Sequence, residues 1–572
     1  MGRVKVLLAV VLVLLPAQVA VASTRSTGSA PAPDRAASAE PADSGESSSS
    51  ASSGPSSDPQ LPPSREREAL SVSATISPAS PADSGVDVHL PEDSSPAVCG
   101  ELDKPETGVQ GDVPLADQLS GRAREGYNCG LAVVGHEPLG GRGSNANMAW
   151  AGHCAYVAGD GIAVVDVSDP AAPRQVTTLT TPGAVDSFET LNAVDAPDRS
   201  LLVAGRYGLF FDLQGESTAP VDIYDVSNCA EPRLLSTVRF PQSVHNLSLT
   251  ADGRRVWSTL PLQAFDLTDP TQPQYLGNLE DQLRAGGTSH LEYAHEALPS
   301  DDGTRLYIGG QFPGDEGSLI VDIEGWPERP PRVVADLWGP GHSIRRATID
   351  GRPYLLRSEE SVVSPLALGC VPSVMTPFGG PAQAFLTDIS DETHPVQDGI
   401  LGLHINDPLN CPAQLASGVN ASSHYHDVDD PDATTFAMVS MWNAGLRVFD
   451  VRHPEAPREV AYFNPGQYDS PLLDEGTMFL DTGLNMMGGR GLDQAWGHVR
   501  YVPETGTIWV TTRLGGFWVL EIEPQVRAAL GLPELPARLP SGGPPRSGNE
   551  PALAAGVLDP LTPALYCTLG RF

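Results

Sequence analysis

The sequence predicts an all-β fold, a β-propeller of seven four-stranded blades. Three observations lead there. An apolar strand ending in an acidic, proline-containing corner recurs along the chain. A strand–turn–strand unit precedes each corner. The two together repeat at roughly the 40–50-residue spacing of propeller blades. The corners read GIAVVDVSDPAAP from Gly161, VDIYDVSNCAEP from Val221, LQAFDLTDPTQP from Leu262, AFLTDISDETHP from Ala384 and GLRVFDVRHPEAP from Gly445. SLIVDI from Ser318 and GFWVLEI from Gly516 are weaker copies.

Each corner has the same physical logic. The strand buries at least one face. The Asp that follows accepts backbone N–H groups, as in an Asx-turn. The Pro interrupts the ladder before the next short strand. The upstream units read HNLSLTADGRRVWSTL from His245, HEALPSDDGTRLYIGG from His295 and HVRYVPETGTIWVTT from His498. LNAVDAPDRSLLVA from Leu191 fits the template without the histidine. Blades are expected to start near Met148, Ser187, Val244, His290, His342, Ser423 and Ala495. The last lacks a fourth strand after Ile522, and CGLAVV from Cys129 is placed to supply it and close the ring. An open solenoid is the competing layout, disfavoured because solenoids need capping repeats.

The units IAVVDVSDP, VDIYDVSN and LRVFDVRHP resemble the LVIVD repeat, a bacterial propeller repeat. The resemblance spans residues 126–523 and implies a fold but no general activity. A histidine-lined propeller is also similar, more distantly, to the selenium-binding protein and methanethiol oxidase propellers. SHYHDVDD at Ser423–Asp430 carries that likeness, while that family's cysteine motif has no match here.

Around the propeller the chain divides as follows. Residues 1–22 read as a signal peptide: Arg3 and Lys5, an apolar run from Val6 to Leu15, then Ala20 and Ala22 as the cleavage pair. A retained N-terminal anchor is the alternative. Residues 23–96 are a Ser/Ala/Pro-rich stretch expected to be disordered. Residues 97–125 form an N-terminal extension and 524–572 a C-terminal tail. No later run is long and apolar enough to span a membrane. The protein is therefore expected to be secreted, extracellular or associated with the cell envelope. Basic residues are almost all Arg, which with plentiful Ala, Gly and Pro suggests a high-GC bacterial source. A net charge of −36 excludes nucleic acid as a partner, because phosphate binding needs a positive surface.

Seven cysteines in an exported chain favour disulfides. Cys370 and Cys411, which flank an inserted region, are the best expected pair, and Cys99 with Cys567 would tie the termini together. Cys129, Cys154 and Cys229 are left without assignment, and no C-x-x-C metal motif is present.

The chemistry-bearing pattern is histidine. His245, His295 and His498 stand seven residues before equivalent turn positions, and His342 and His426 fall within a residue of that place. His424 shares a strand face with His426. First strands of blades line the central channel, so these six imidazoles are candidate ligands for copper or zinc. The alternative is a set of solvent-lining histidines. Asp427, Asp429, Asp430 and Asp432 lack the spacing of a calcium loop and read as an acidic turn. Adjacent Glu359 and Glu360 point to opposite faces of a strand and do not make a carboxylate pair. His136 and His153 are expected to be exposed. Two insertions, Ser361–Gly380 and Asn464–Gln494, read either as lids over the channel mouth or as neutral decoration.

Two functions follow. The first is a binding protein at the bacterial cell surface, with an unidentified protein or glycan ligand and no standard catalytic motif. The second is a metal-dependent oxidoreductase, using copper or zinc held by the channel histidines.

Overall fold

The corner Asp does what its position demands. Asp166, Asp225, Asp266, Asp388 and Asp450 each accept the backbone N–H two residues on, at 2.7–3.1 Å. The turn so fixed sends each chain into the outermost strand of its sheet. A computed structural model describes residues 97–142, 145–185, 187–206, 219–286, 294–310, 318–337, 341–360, 383–468 and 491–535.

Seven antiparallel sheets form a ring of blades, a β-propeller. The innermost strands, in chain order, are Met148–Ala151, Leu191–Ala196, Leu247–Leu249, Ala294–Pro299, Ile344–Ile349, His426–Val428 and Arg500–Val502, and they define blades 1 to 7. Successive innermost strands lie against one another. The ring shuts where the amide of His498 in blade 7 donates to Asn147 Oδ1 at the start of blade 1 (2.9 Å). As expected from the sequence, the fourth strand of blade 7 comes from the start of the propeller. Leu131–Glu137 pairs antiparallel with Gly516–Ile522, from Leu131 opposite Ile522 to Glu137 opposite Phe517. Blade 7 then has four strands, with Leu131–Glu137 as the outermost. Apolar side chains on the middle strands pack between neighbouring blades, so the core is distributed around the ring.

The N-terminal extension reaches across this closure. Tyr127–Cys129 adds a fifth strand to the outer edge of blade 6, beside Arg458–Asn464. Arg447, fully buried in blade 6, lies 3.0 Å from Glu459 Oε1 and is hydrogen-bonded to Glu106 of the extension. Its guanidinium stacks over the Tyr462 ring at 4.7 Å. Two acids from distant parts of the chain thus neutralise one buried cation.

Cys99 pairs differently from expectation. Cys99 bonds Cys129, within the N-terminal region, and so is not available to Cys567. The expected tie between the termini is replaced by a local one, because the residue 127–129 strand brings Cys129 back beside Cys99 (Cα–Cα 4.7 Å). Cys154 bonds Cys229 and links blades 1 and 2. Cys411 is disulfide-bonded, whereas Cys370 and Cys567 lie outside the described residues. So do the whole Ser361–Gly380 insertion and residues 469–490 of the second. Among the described residues no helix is long and apolar enough to cross a membrane.

Replacing Arg447 by Ala would leave Glu106 and Glu459 buried without their cation, a change that costs about 3–5 kcal/mol. Urea denaturation is expected to register a loss of that size. A loss below about 1 kcal/mol would mean that the pair is no stronger than a surface salt bridge.

Candidate metal centre

In several blades the residue two positions ahead of the innermost strand bears an ionisable side chain. In blades 3, 5 and 6 that residue is His245, His342 and His424. Their amides donate to equivalent carbonyls at the end of the second strand: Thr259, Ser358 and Ser440, at 3.1, 2.7 and 2.9 Å. Hydroxyls of the preceding blade hold the next carbonyl in turn. Thr190 Oγ1 donates to His245 O (2.6 Å), Thr259 Oγ1 to His295 O (2.7 Å), and Ser358 Oγ to His424 O. Close packing brings the His342 backbone inward, since a Cβ on Gly309 would fall 1.9 Å from Gly341 O.

The four imidazoles form a continuous arc. Ring centroids are 4.4 Å apart for His245–His295, 3.4 Å for His295–His342 and 4.4 Å for His342–His424. Nδ1 of His295 lies 3.0 Å from His342 O, and Nδ1 of His424 lies 2.7 Å from Trp496 O. These carbonyls accept from Nδ1–H and leave Nε2 as the nitrogen that faces the carboxylates.

Two buried carboxylates face those Nε2 atoms. Glu189 Oε2 lies 3.3 Å from His245 and 3.4 Å from His295, and its Oε1 lies 3.3 Å from His424. Glu360 stands 3.4 Å from both His342 and His424. Two sets of donor atoms, Glu189–His295–His342 and His342–Glu360–His424, each fall within 4.8 Å. Among the described residues neither ring nitrogen of His342 has a hydrogen-bond partner. A buried imidazole in that state calls for an explanation.

The electrostatics follow from this crowding. Burial pushes Glu189 up, but hydrogen bonds with His245, His295 and His424 override it and hold the carboxyl well below its usual range. Burial raises Glu360 against the pull of His424. Burial also opposes protonation of His424, yet the two carboxylates push it up to about 9. His295 is pushed down to about 4 by burial and the neighbouring His245. His342 falls well below its usual value, through burial and the imidazoles on either side.

Of the six histidines singled out in the sequence, the structure brings four together and places His426 and His498 elsewhere. Ser440 Oγ donates to Gly497 O (2.8 Å) as Ser358 Oγ does to His424 O, so Gly497 holds the ligand position of blade 7. His498 is one residue on and faces away from the cluster. Its Nδ1 lies 2.8 Å from Arg345, whose Nη1 is 2.6 Å from Glu296 Oε1. Burial and that guanidinium hold the His498 imidazole well below its usual pKa. His426 turns its Nε2 to Leu356 O at 2.9 Å. Between the two tiers lies Tyr425. Its hydroxyl accepts from Asn246 Nδ2 (2.8 Å) across the channel, and its ring sits 4.6 Å from His424 and 4.2 Å from His498.

Glu189 and Glu360 were not among the sequence candidates. Glu189 occupies in blade 2 the position that histidine holds in blades 3, 5 and 6, two residues before the innermost strand. Aligning Glu189-Thr190-Leu191 with His245-Asn246-Leu247 would have found it. Glu359 and Glu360 lie past the end of the Arg352–Ser358 strand, so alternation does not govern them, and the carboxylate that Glu360 meets is Glu189 of another blade. His136 is not the exposed residue expected: it stacks on Trp518 at 3.7 Å. His153 is exposed. The acidic turn is structural, with Asp429 Oδ1 accepting from the Thr435 and Phe436 amides.

The LVIVD repeat family matches residues 142–181, the first blade with its corner. The protein is a β-propeller that carries an LVIVD repeat. No curated protein matches the sequence. Among solved structures the propeller is similar to an ancestral GH74 enzyme, at 9% identity over 66% of this chain, with a TM-score of 0.39. This LVIVD-repeat chain spans 48% of that structure's length. It is similar also to the β-propeller domain of Myceliophteria thermophila Cps50 (Swd1), at 11% identity over 66% of this chain and 97% of that one, TM-score 0.41. A chain of a mitotic checkpoint complex gives 12% identity over 74% and 99%, TM-score 0.38. The more distant likeness to selenium-binding proteins is not shown by any of these comparisons.

Burial, and then Arg345, push His426 down to about 3 from an ordinary 6.5. The unfolded chain therefore takes up this proton first as pH falls, and the folded state loses stability between those values. The stability difference between wild type and His426→Asn is expected to shrink as pH drops from 6.5 towards 3. A difference independent of pH in denaturation curves would contradict this.

Proposed function

We propose that this protein is an exported metalloprotein, an oxidoreductase whose propeller channel holds a divalent transition-metal ion among His245, His295, His342, His424, Glu189 and Glu360. The observation that carries this reading is the spacing of the donors. Two three-residue donor sets, Glu189–His295–His342 and His342–Glu360–His424, each lie within 4.8 Å. The five imidazole–carboxylate separations are 3.3–3.4 Å. Imidazole suits zinc, copper, iron and nickel. Copper and zinc remain the ions named by the sequence reading, and nothing in the donor set selects between them. An imidazole-rich site beside a stacked Trp442–Trp496 pair, 4.8 Å between centroids, suits electron-transfer chemistry. The Cys99–Cys129 and Cys154–Cys229 bonds support an oxidising, extracytoplasmic compartment.

Wild-type protein reconstituted with copper or zinc is expected to keep stoichiometric metal through gel filtration. At a free metal concentration 100 times Kd the folded state gains about 2.7 kcal/mol, seen as a raised Tm. His342→Ala with His424→Ala is expected to weaken metal binding about 100-fold or more. Equal metal content in wild type and double variant would defeat the reading.

The second reading, a binding protein at the cell envelope, draws on a different feature. Leu119 and Leu415 are exposed on neighbouring short helices, 115–120 and 411–417. Exposed apolar side chains brought together at the surface mark interaction sites. Pull-down from envelope extracts is expected to recover a protein or glycan that the Leu119→Ser, Leu415→Ser variant fails to recover. Identical recovery by both would remove this reading.

A further inference from the structure

The circle of donors is interrupted on one side, and a tryptophan crosses the interruption. We propose that Trp496 is the positioning residue of the metal centre: its indole N–H and its carbonyl hold one donor in each of the two sets. This rests on the metal-site reading above.

Five consecutive blades send a donor into the cluster, from Glu189 in blade 2 to His424 in blade 6. In blades 7 and 1 the equivalent position holds Gly497 and Ala146, neither of which carries one. Thr511 Oγ1 donates to Ala146 O (3.0 Å) as Ser440 Oγ does to Gly497 O, which fixes the equivalence. The reason for small residues there is packing. A Cβ on Gly497 would fall 2.8 Å from both Ala146 O and Asn147 Cα, so the two blades meet too closely for a side chain. Trp496, one residue earlier, spans this sector instead. It reaches His424 of blade 6 on one side and Glu189 of blade 2 on the other.

The two polar groups of Trp496 land on different ligands. Nε1–H donates to Glu189 Oε1 at 3.3 Å, and the carbonyl accepts from His424 Nδ1 at 2.7 Å. Glu189 belongs to the set with His295 and His342, and His424 to the set with His342 and Glu360. Whichever set holds the ion, Trp496 therefore bears on one of its donors. The N–H engages Oε1 and leaves Oε2 turned to His245 and His295. The carbonyl fixes the His424 tautomer with Nε2 towards the carboxylates. The indole is itself held in place. It stacks on Trp442 at 4.8 Å and lies 5.5 Å from Phe188. Both neighbours stand on left-handed backbone, with φ of 39° and 42°, a conformation that bulky residues keep only where the surroundings enforce it. Ala495, bridged to both Trp442 and Thr512, pins the chain just before the indole. Partners that orient a metal's ligands in this way contribute about 10–100-fold to its affinity.

Trp496→Phe keeps an aromatic ring and the carbonyl and removes the N–H. Trp442→Phe is the matched control, because it trims the other indole of the same stack, whose Nε1 has no hydrogen-bond partner among the described residues. Full-length wild type and both variants are titrated with zinc and with copper in competition with a chelator, and their urea denaturation is measured in parallel. Trp496→Phe is expected to bind metal about 10–100-fold more weakly than wild type. Trp442→Phe is expected to bind at wild-type strength even where the two variants lose similar stability. Should Trp496→Phe not fold, the wild type carries the test. In spectra of protein labelled at the tryptophan nitrogen, one indole N–H signal is expected to move or broaden on adding metal and to move also in Glu189→Gln. Wild-type affinity in Trp496→Phe, an equal loss in Trp442→Phe, or the lack of an indole signal that answers to both changes overturns the role of Trp496 and leaves the metal site standing. A wild-type chain that binds neither zinc nor copper defeats the metal-site reading and this proposal together.

Discussion

Everything in the channel depends on the antiparallel pairing of Leu131–Glu137 with Gly516–Ile522. That ladder joins the two ends of the propeller and turns seven separate sheets into a closed wheel. Without closure, Glu189 and His424 belong to blades distant along the chain. With it, they stand 3.3 Å apart. The extension reinforces the same seam. Its strand beside blade 6, its Cys99–Cys129 bond and its Glu106–Arg447 pair all lie where the ends meet. Chain-distant contacts of this kind carry a large closure entropy, which explains why several independent devices are concentrated there.

Charge in the channel is layered. The upper layer combines four imidazoles with two carboxylates and is short of positive charge. The lower layer pairs Arg345 with Glu296, which also accepts from Ser343 Oγ and the Ile344 amide, and so balances itself. A cation is favoured in the first layer and opposed by Arg345 in the second. This separates the four clustered histidines from His498 more decisively than sequence spacing does.

The fold was legible because its signal is local. The corner Asp, the apolar strand before it and the Pro after it each act within a few residues, and the repeat multiplies that signal. The donor at residue 131 for the last blade was legible for the same reason. The candidate site was only half legible. Histidine could be followed from blade to blade, but a one-residue offset turns a side chain to the other face, and this removes His498. Glu189 was hidden because blade 2 uses a different residue type at the shared position. Glu360 was hidden because it lies past the end of its strand, where alternation no longer names a partner. Cysteine pairing was illegible in kind: Cys99 meets Cys129 through a strand pairing that spacing alone does not reveal.

Tyr425 divides the channel. Its ring, fully buried, reaches from blade 6 to Asn246 in blade 3 and separates the clustered histidines from His498 below. The axis of the wheel is thus split into two compartments of different chemistry, imidazoles and carboxylates on one side of the ring and a guanidinium with its acid on the other.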